Sequence, residues 1–153
     1  MRFGKSQFAV LALTGGVLLI ILAWAFASMS DHRYSSAFTF ESLVERLNVI
    51  SGPAGKKCGV ITLGSDPSNA LSCVRSSLAH REPFWFASQI NDKRPGGSWQ
   101  GLVGDKSGVT WLVSYDTDVT DGAGERKAYI GTNNCLDPII LSGPRFYVQC
   151  SRL

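Results

Sequence analysis

Between Lys5 and Asp31 the chain carries no charged side chain, and Phe8 to Ala27 is almost wholly apolar. Twenty helical residues at about 1.5 Å each reach roughly 30 Å, the thickness of a bilayer's hydrocarbon core. A soluble helix that is apolar on every side must sit inside a large core. A chain of 153 residues can hardly build one around it. The reading is a membrane segment at residues 8–28, behind a cytoplasmic n-region at 1–7. A spacer at 29–37 and an extracytoplasmic domain at 38–153 follow.

Arg2 and Lys5 make the leading side positive, so the N-terminus is expected in the cytoplasm and the remainder across the membrane. Ala25-Phe26-Ala27 also has the small-x-small form of a signal cleavage site. The apolar run exceeds the usual signal core, and bulky Trp24 and Phe26 crowd that site, which favours an uncleaved signal-anchor. The expected location is the cytoplasmic (inner) membrane, single-pass with the domain outside. Cleavage would instead leave a periplasmic or secreted protein.

All four cysteines lie beyond the apolar run. Fourteen residues separate Cys58 from Cys73, and fourteen separate Cys135 from Cys150. An even number of cysteines on the oxidising side of a membrane reads as disulfides. Four cysteines allow three connectivities. The two local pairs are favoured, because each closes a short loop worth up to about 3 kcal/mol in the chain-entropy model. Zinc sites bring ligands in close pairs, which these are not, so no metal and no cofactor is expected.

Without Arg2 and Lys5, 13 of the 15 basic side chains remain against 12 acidic ones. That balance leaves no basic stripe, and nucleic acid is excluded as a partner. The outer residues suit one domain with one modest core.

Along that domain, Phe40, Leu43, Val44, Leu47 and Ile50 recur on one helical face behind Thr39 as N-cap, with Gly52-Pro53 as the stop. Asp66-Pro67 opens a second helix carrying Ala70, Leu71, Val74 and Leu78. Beyond Pro83 the pattern turns to strands. These are Phe84–Ile90, a hairpin of Trp99–Gly104 and Val109–Asp116 around Asp105-Lys106-Ser107-Gly108, then Lys127–Gly131 and Arg145–Cys150. The expected fold is α+β: two helices on a mainly antiparallel sheet of four or five strands, covered on one face and fastened by two disulfides.

No motif names a reaction. The loop at Asp116, Asp118 and Asp121 fails the calcium-loop spacing, since its third aspartate comes late and Lys127 takes the twelfth position. No nucleophile elbow and no C-x-x-C occurs. A dispersed hydrolase site would need His80 as base, with Ser98 as a conceivable nucleophile. The stronger expectation is a non-catalytic binding or assembly module of the cell envelope. Rings dominate ordinary cores, and Trp111 alternates with Val109 and Val113 as a core ring does. Trp85 falls on the strand face opposite Phe84 and Phe86, so one of those faces is exposed or covered by a partner. Trp85 and Trp99, with Lys93 and Arg94 in the adjoining turn, are the candidate binding residues. The expected partners are the membrane through residues 8–28 and another envelope protein or cell-wall glycan.

Overall fold

A computed structural model describes residues 30–92, 97–120, 123–141 and 146–151. The apolar segment at 8–28 lies outside the described residues, as do Lys93, Arg94 and Asp121. Among the described residues, no helix is long and apolar enough to cross a membrane.

Among the described residues ten elements follow in order: β1 (Ser30–Ser35), α1 (Phe40–Ser51), β2 (Lys56–Ile61), α2 (Ser68–His80), β3 (Phe84–Asn91), β4 (Ser98–Gly104), β5 (Thr110–Thr120), β6 (Arg126–Asn134), β7 (Leu136–Leu141) and β8 (Tyr147–Ser151). Six form one sheet in the order β1-β6-β5-β4-β3-β2, and β7 and β8 pair separately. β3, β4, β5 and β6 pair in sequence as an antiparallel meander. The pair β2-β3 is parallel, because parallel neighbours need a long crossover and α2 supplies one.

Both helices begin and end where local chemistry dictates. The Thr39 N–H donates to Ser42 Oγ at the start of α1, and Gly52 closes its end at φ 73°. Asp66 Oδ1 accepts from the Ser68 N–H and hydroxyl in the turn that leads into α2. Those bonds hold the Asp66 carboxyl below its usual range. Arg81, in the left-handed region at φ 54°, ends α2 before Pro83 is reached.

The sheet is covered on both faces, not one, and this corrects the expected architecture along with the strand number. α1 lies on one face, burying Leu43 and Leu47 against Trp85, Ala87, Trp99, Val103, Val113 and Tyr115. Leu47 crosses β4 at Gly101, where an added Cβ would stand 2.6 Å from Leu47 Cδ2. On the other face, α2 and the β7-β8 ribbon bury Ile61, Leu71, Val74, Phe84, Phe86, Leu102 and Val148. The Phe146 carbonyl accepts from Ser88 Oγ, and Gln100 Oε1 accepts from the Val148 N–H, fixing the ribbon over β3 and β4.

Cys58 bonds Cys73 and Cys135 bonds Cys150. The first joins β2 to α2, the second ties the start of β7 to the end of β8, and no described cysteine is free. Cys58 and Cys135 both lie in the core beneath α2 and the ribbon.

Candidate functional site

Both candidate tryptophans are core residues. Trp85 is 5% exposed and Trp99 8%. The Trp85 Nε1–H donates to Asn48 Oδ1 at 3.0 Å, while Asn48 Nδ2 donates to the Val44 carbonyl, so α1 holds the indole directly. Trp99 lies against Phe40, ring centroids 4.3 Å apart. The expected partner for the Trp85 face is therefore α1 of the same chain, and neither indole offers a ring to a ligand.

The histidine of a dispersed hydrolase site stands apart from the proposed nucleophile. His80 is exposed at the end of α2, its Nδ1–H donating to the Ser76 carbonyl at 2.8 Å. The adjoining Phe84 pairs with Gly104 at one end of β4, whereas Ser98 is at the other end. Six strand steps at about 3.3 Å put roughly 20 Å between those ends. Ser98 Oγ donates instead to Asp116 Oδ2 at 2.9 Å.

The sheet itself leaves one area uncovered. On β5, Val113 and Tyr115 point to α1, so Ser114 and Asp116 point the other way. On β6, Ala128 and Ile130 point to α1, leaving Tyr129, Gly131 and Asn133 on the same side as Ser114 and Asp116. α2 and the ribbon cover β2, β3, β4 and the Thr110–Leu112 end of β5, and among the described residues they stop short of Ser114 and Asp116 and the facing part of β6. β1 adds His32 and Tyr34 at the edge.

Three rings meet there. His32 and Tyr129 stack with centroids 5.7 Å apart and planes 18° from parallel, and His32 Nδ1 pairs with the Tyr129 hydroxyl. Tyr34, 44% exposed, leans on Tyr129 at 5.2 Å. The Tyr129 ring folds down over Gly131, where an added Cβ would stand 2.5 Å from Cζ and 3.0 Å from His32 Nδ1. A side chain at 131 would therefore lift the ring. Burial, and then the neighbouring Tyr34 phenol, push the Tyr129 hydroxyl up from its usual value, so it keeps its proton at neutral pH. Across the ladder, Tyr129 registers with Asp116 and Gly131 with Ser114. The arrangement presents flat ring faces beside hydroxyls and one carboxylate. Such a surface stacks and hydrogen-bonds.

The sequence does not reveal this cluster, because β1 reads as a polar spacer. Asp31-His-Arg-Tyr-Ser carries no apolar alternation, and the available signal was only two rings two residues apart, His32 and Tyr34, which share a strand face. A second exposed patch lies on the ribbon, where Leu136, Ile139 and Tyr147 are 38%, 52% and 46% exposed. No protein-family model, curated protein or solved structure matches this chain.

Proposed function

We propose that the chain is a single-pass protein of the cytoplasmic membrane whose disulfide-fastened α+β domain works outside the cytoplasm as a non-catalytic binding or assembly module of the envelope. The apolar run behind Arg2 and Lys5 supports the anchor and its direction. Two disulfides support an oxidising compartment. The observation that carries the binding reading is the open area of sheet on β5, β6 and β1, with His32, Tyr34 and Tyr129 in mutual contact on it. Tyrosine rings with a polar rim supply contact area at low entropic cost, for a protein surface or a sugar ring alike.

The test is site-specific photo-crosslinking in cells. A photoreactive residue at Tyr34 is expected to trap one discrete envelope partner or glycan adduct. The same group at Val49, 67% exposed on α1, serves as control. Equal yields at both positions, or none at Tyr34 while the domain stays folded, would defeat the assignment of this face.

A further inference from the structure

The uncovered part of the sheet is laid out in two rows. Ser114, Gly131 and His32 stand side by side on β5, β6 and β1, with His32 Nδ1 3.0 Å from where a Cβ on Gly131 would be. Asp116, Tyr129 and Tyr34 form the second row. Two strand spacings of about 4.8 Å make each row roughly 10 Å wide. None of the six side chains is aliphatic.

The Tyr129 ring leans out of its own row and lies over Gly131, its hydroxyl paired with His32 Nδ1. The planes of the two rings are 18° from parallel and their centroids 5.7 Å apart. Rings laid squarely one over the other stand about 3.5–4.0 Å apart, more than a hydrogen bond spans. The pair is therefore strongly offset and meets at its edges, so phenol and imidazole together make one broad plate resting on the backbone of β6. Tyr34, tilted by 48° and 44% exposed, rises along its side.

The ends of the plate are polar. The Tyr129 phenol, which burial and then Tyr34 keep protonated, is a stronger acid than a neutral imidazole and donates to Nδ1. His32 then carries its own proton on Nε2, on the side away from Tyr129. Ser114 adds a hydroxyl at the other end of that row. The Asp116 carboxylate beside it already accepts from the Ser98 hydroxyl and the Asp118 N–H.

We infer that the plate receives the flat side of a pyranose ring in a β-linked cell-wall glycan, whose hydroxyls meet Ser114 at one end and His32 Nε2 at the other. This deepens the reading of the face as a binding surface, and rests on it. The chemistry of the rows chooses the occupant. A pyranose with all its hydroxyls equatorial turns only C–H groups above and below its plane, and the negative face of an aromatic ring attracts them. Its hydroxyls leave sideways, where the rows keep their polar groups. A protein partner would instead bring an aromatic or aliphatic anchor into a desolvated pocket, and these rows hold no aliphatic side chain to surround one.

Saturation-transfer NMR on the full chain in detergent micelles tests it. The probe is the tetramer of β-1,4-linked N-acetylglucosamine, and the control is sorbitol, which has hydroxyls but no ring. Irradiating the aromatic protons is expected to transfer most strongly to the axial C–H protons of the tetramer and not to sorbitol. Tyr34→Ala should weaken binding at least about fivefold, the lower bound for losing one aromatic ring under a stacked base. Tyr34→Phe, which keeps the ring, should bind like the parent. Gly131→Ala, which lifts the plate, should weaken binding as Tyr34→Ala does, with the fold of each variant checked by its thermal midpoint. No transfer to the tetramer, equal transfer to sorbitol, or binding that survives both Tyr34→Ala and Gly131→Ala would overturn the inference. Photo-crosslinking from Tyr34 then separates the two failures. A trapped protein would keep the face as a binding surface and remove the glycan; no crosslink above the Val49 control would remove the face as well.

Discussion

The two faces of the central sheet are closed by opposite means. One helix, α1, seals the first face with Leu43, Leu47 and a ring-rich sheet surface, and no cysteine belongs to that layer. The second face is closed by two smaller pieces, α2 and the β7-β8 ribbon, and each is tied by a disulfide. A two-stranded ribbon is marginal in water by itself, so covalent closure compensates for its small buried area. Continuous packing over three or four strands needs no such help. The second closure also leaves the Ser114–Asp116 part of β5 and the facing part of β6 uncovered, which the first does not.

Reduction should separate the two layers most sharply. Each disulfide spans 15 residues, for which the loop-entropy model gives about 3 kcal/mol. Losing both removes about 6 kcal/mol, comparable with the whole stability of a small domain. Hydrogen exchange during partial reduction is expected to accelerate first in α2 and β7-β8, with α1 and β4 protected longest. Uniform loss of protection would mean that the layers unfold as one unit.

Next in size is Leu47→Ala, which removes a side chain with no exposure from beneath α1. The expected cost is about 2–5 kcal/mol by chemical denaturation, and it should be the same with the disulfides reduced if the reduced domain still folds. Coupling between the two changes larger than about 0.5 kcal/mol would show that the layers communicate through the sheet.

The sequence shows the first layer more clearly than the second. α1, α2 and the β4-β5 hairpin are legible because caps, 3.6-residue periodicity and a tight turn act locally. The disulfide pairing is legible because both loops are short. β1 and β7 are not. β1 is a polar edge strand, and edge strands suppress the alternation that reveals inner ones. β7 contains Pro138, and its pairing slips between Leu136 and Ile139, an irregularity a two-stranded ribbon tolerates. Phe84-Trp85-Phe86-Ala87 was readable in principle. An unbroken apolar run is the pattern of a strand buried on both faces, and the structure buries Trp85 as well as Phe84 and Phe86. The ring cluster depended on β1 and was lost with it.

The turn beneath Trp111 gives a smaller, pH-dependent effect on the α1 side. Burial raises the Asp105 carboxyl, but hydrogen bonds from Ser107, Trp111 and Val109 outweigh it and hold the group below its usual value. A lowered folded-state value means the stabilisation is complete above the unfolded value, about 3.9, and is lost as the pH falls through the folded one. Asp105→Asn should therefore cost about 1 kcal/mol at neutral pH. Its thermal midpoint should converge on that of the parent in acid below pH about 4. A constant gap across the titration would mean that the charge contributes nothing.

The finest comparison uses one substitution on both faces. Gly101→Ala places a methyl 2.6 Å from Leu47 Cδ2 in a layer that is closed and packed. The surroundings cannot yield without moving α1, and the expected cost is about 1–3 kcal/mol. Gly131→Ala meets the Tyr129 ring, whose neighbour Tyr34 is 44% exposed. That ring can swing outward into solvent, so the cost in stability should stay within about 0.5 kcal/mol. What changes is the surface: the His32 contact is broken and the flat arrangement with Tyr34 is lost. Crosslinking from position 34 is therefore expected to fall in Gly131→Ala and to persist in Gly101→Ala, although the second variant is the less stable. If the yields instead track stability, the ring cluster is packing for β1 rather than a surface that meets a partner.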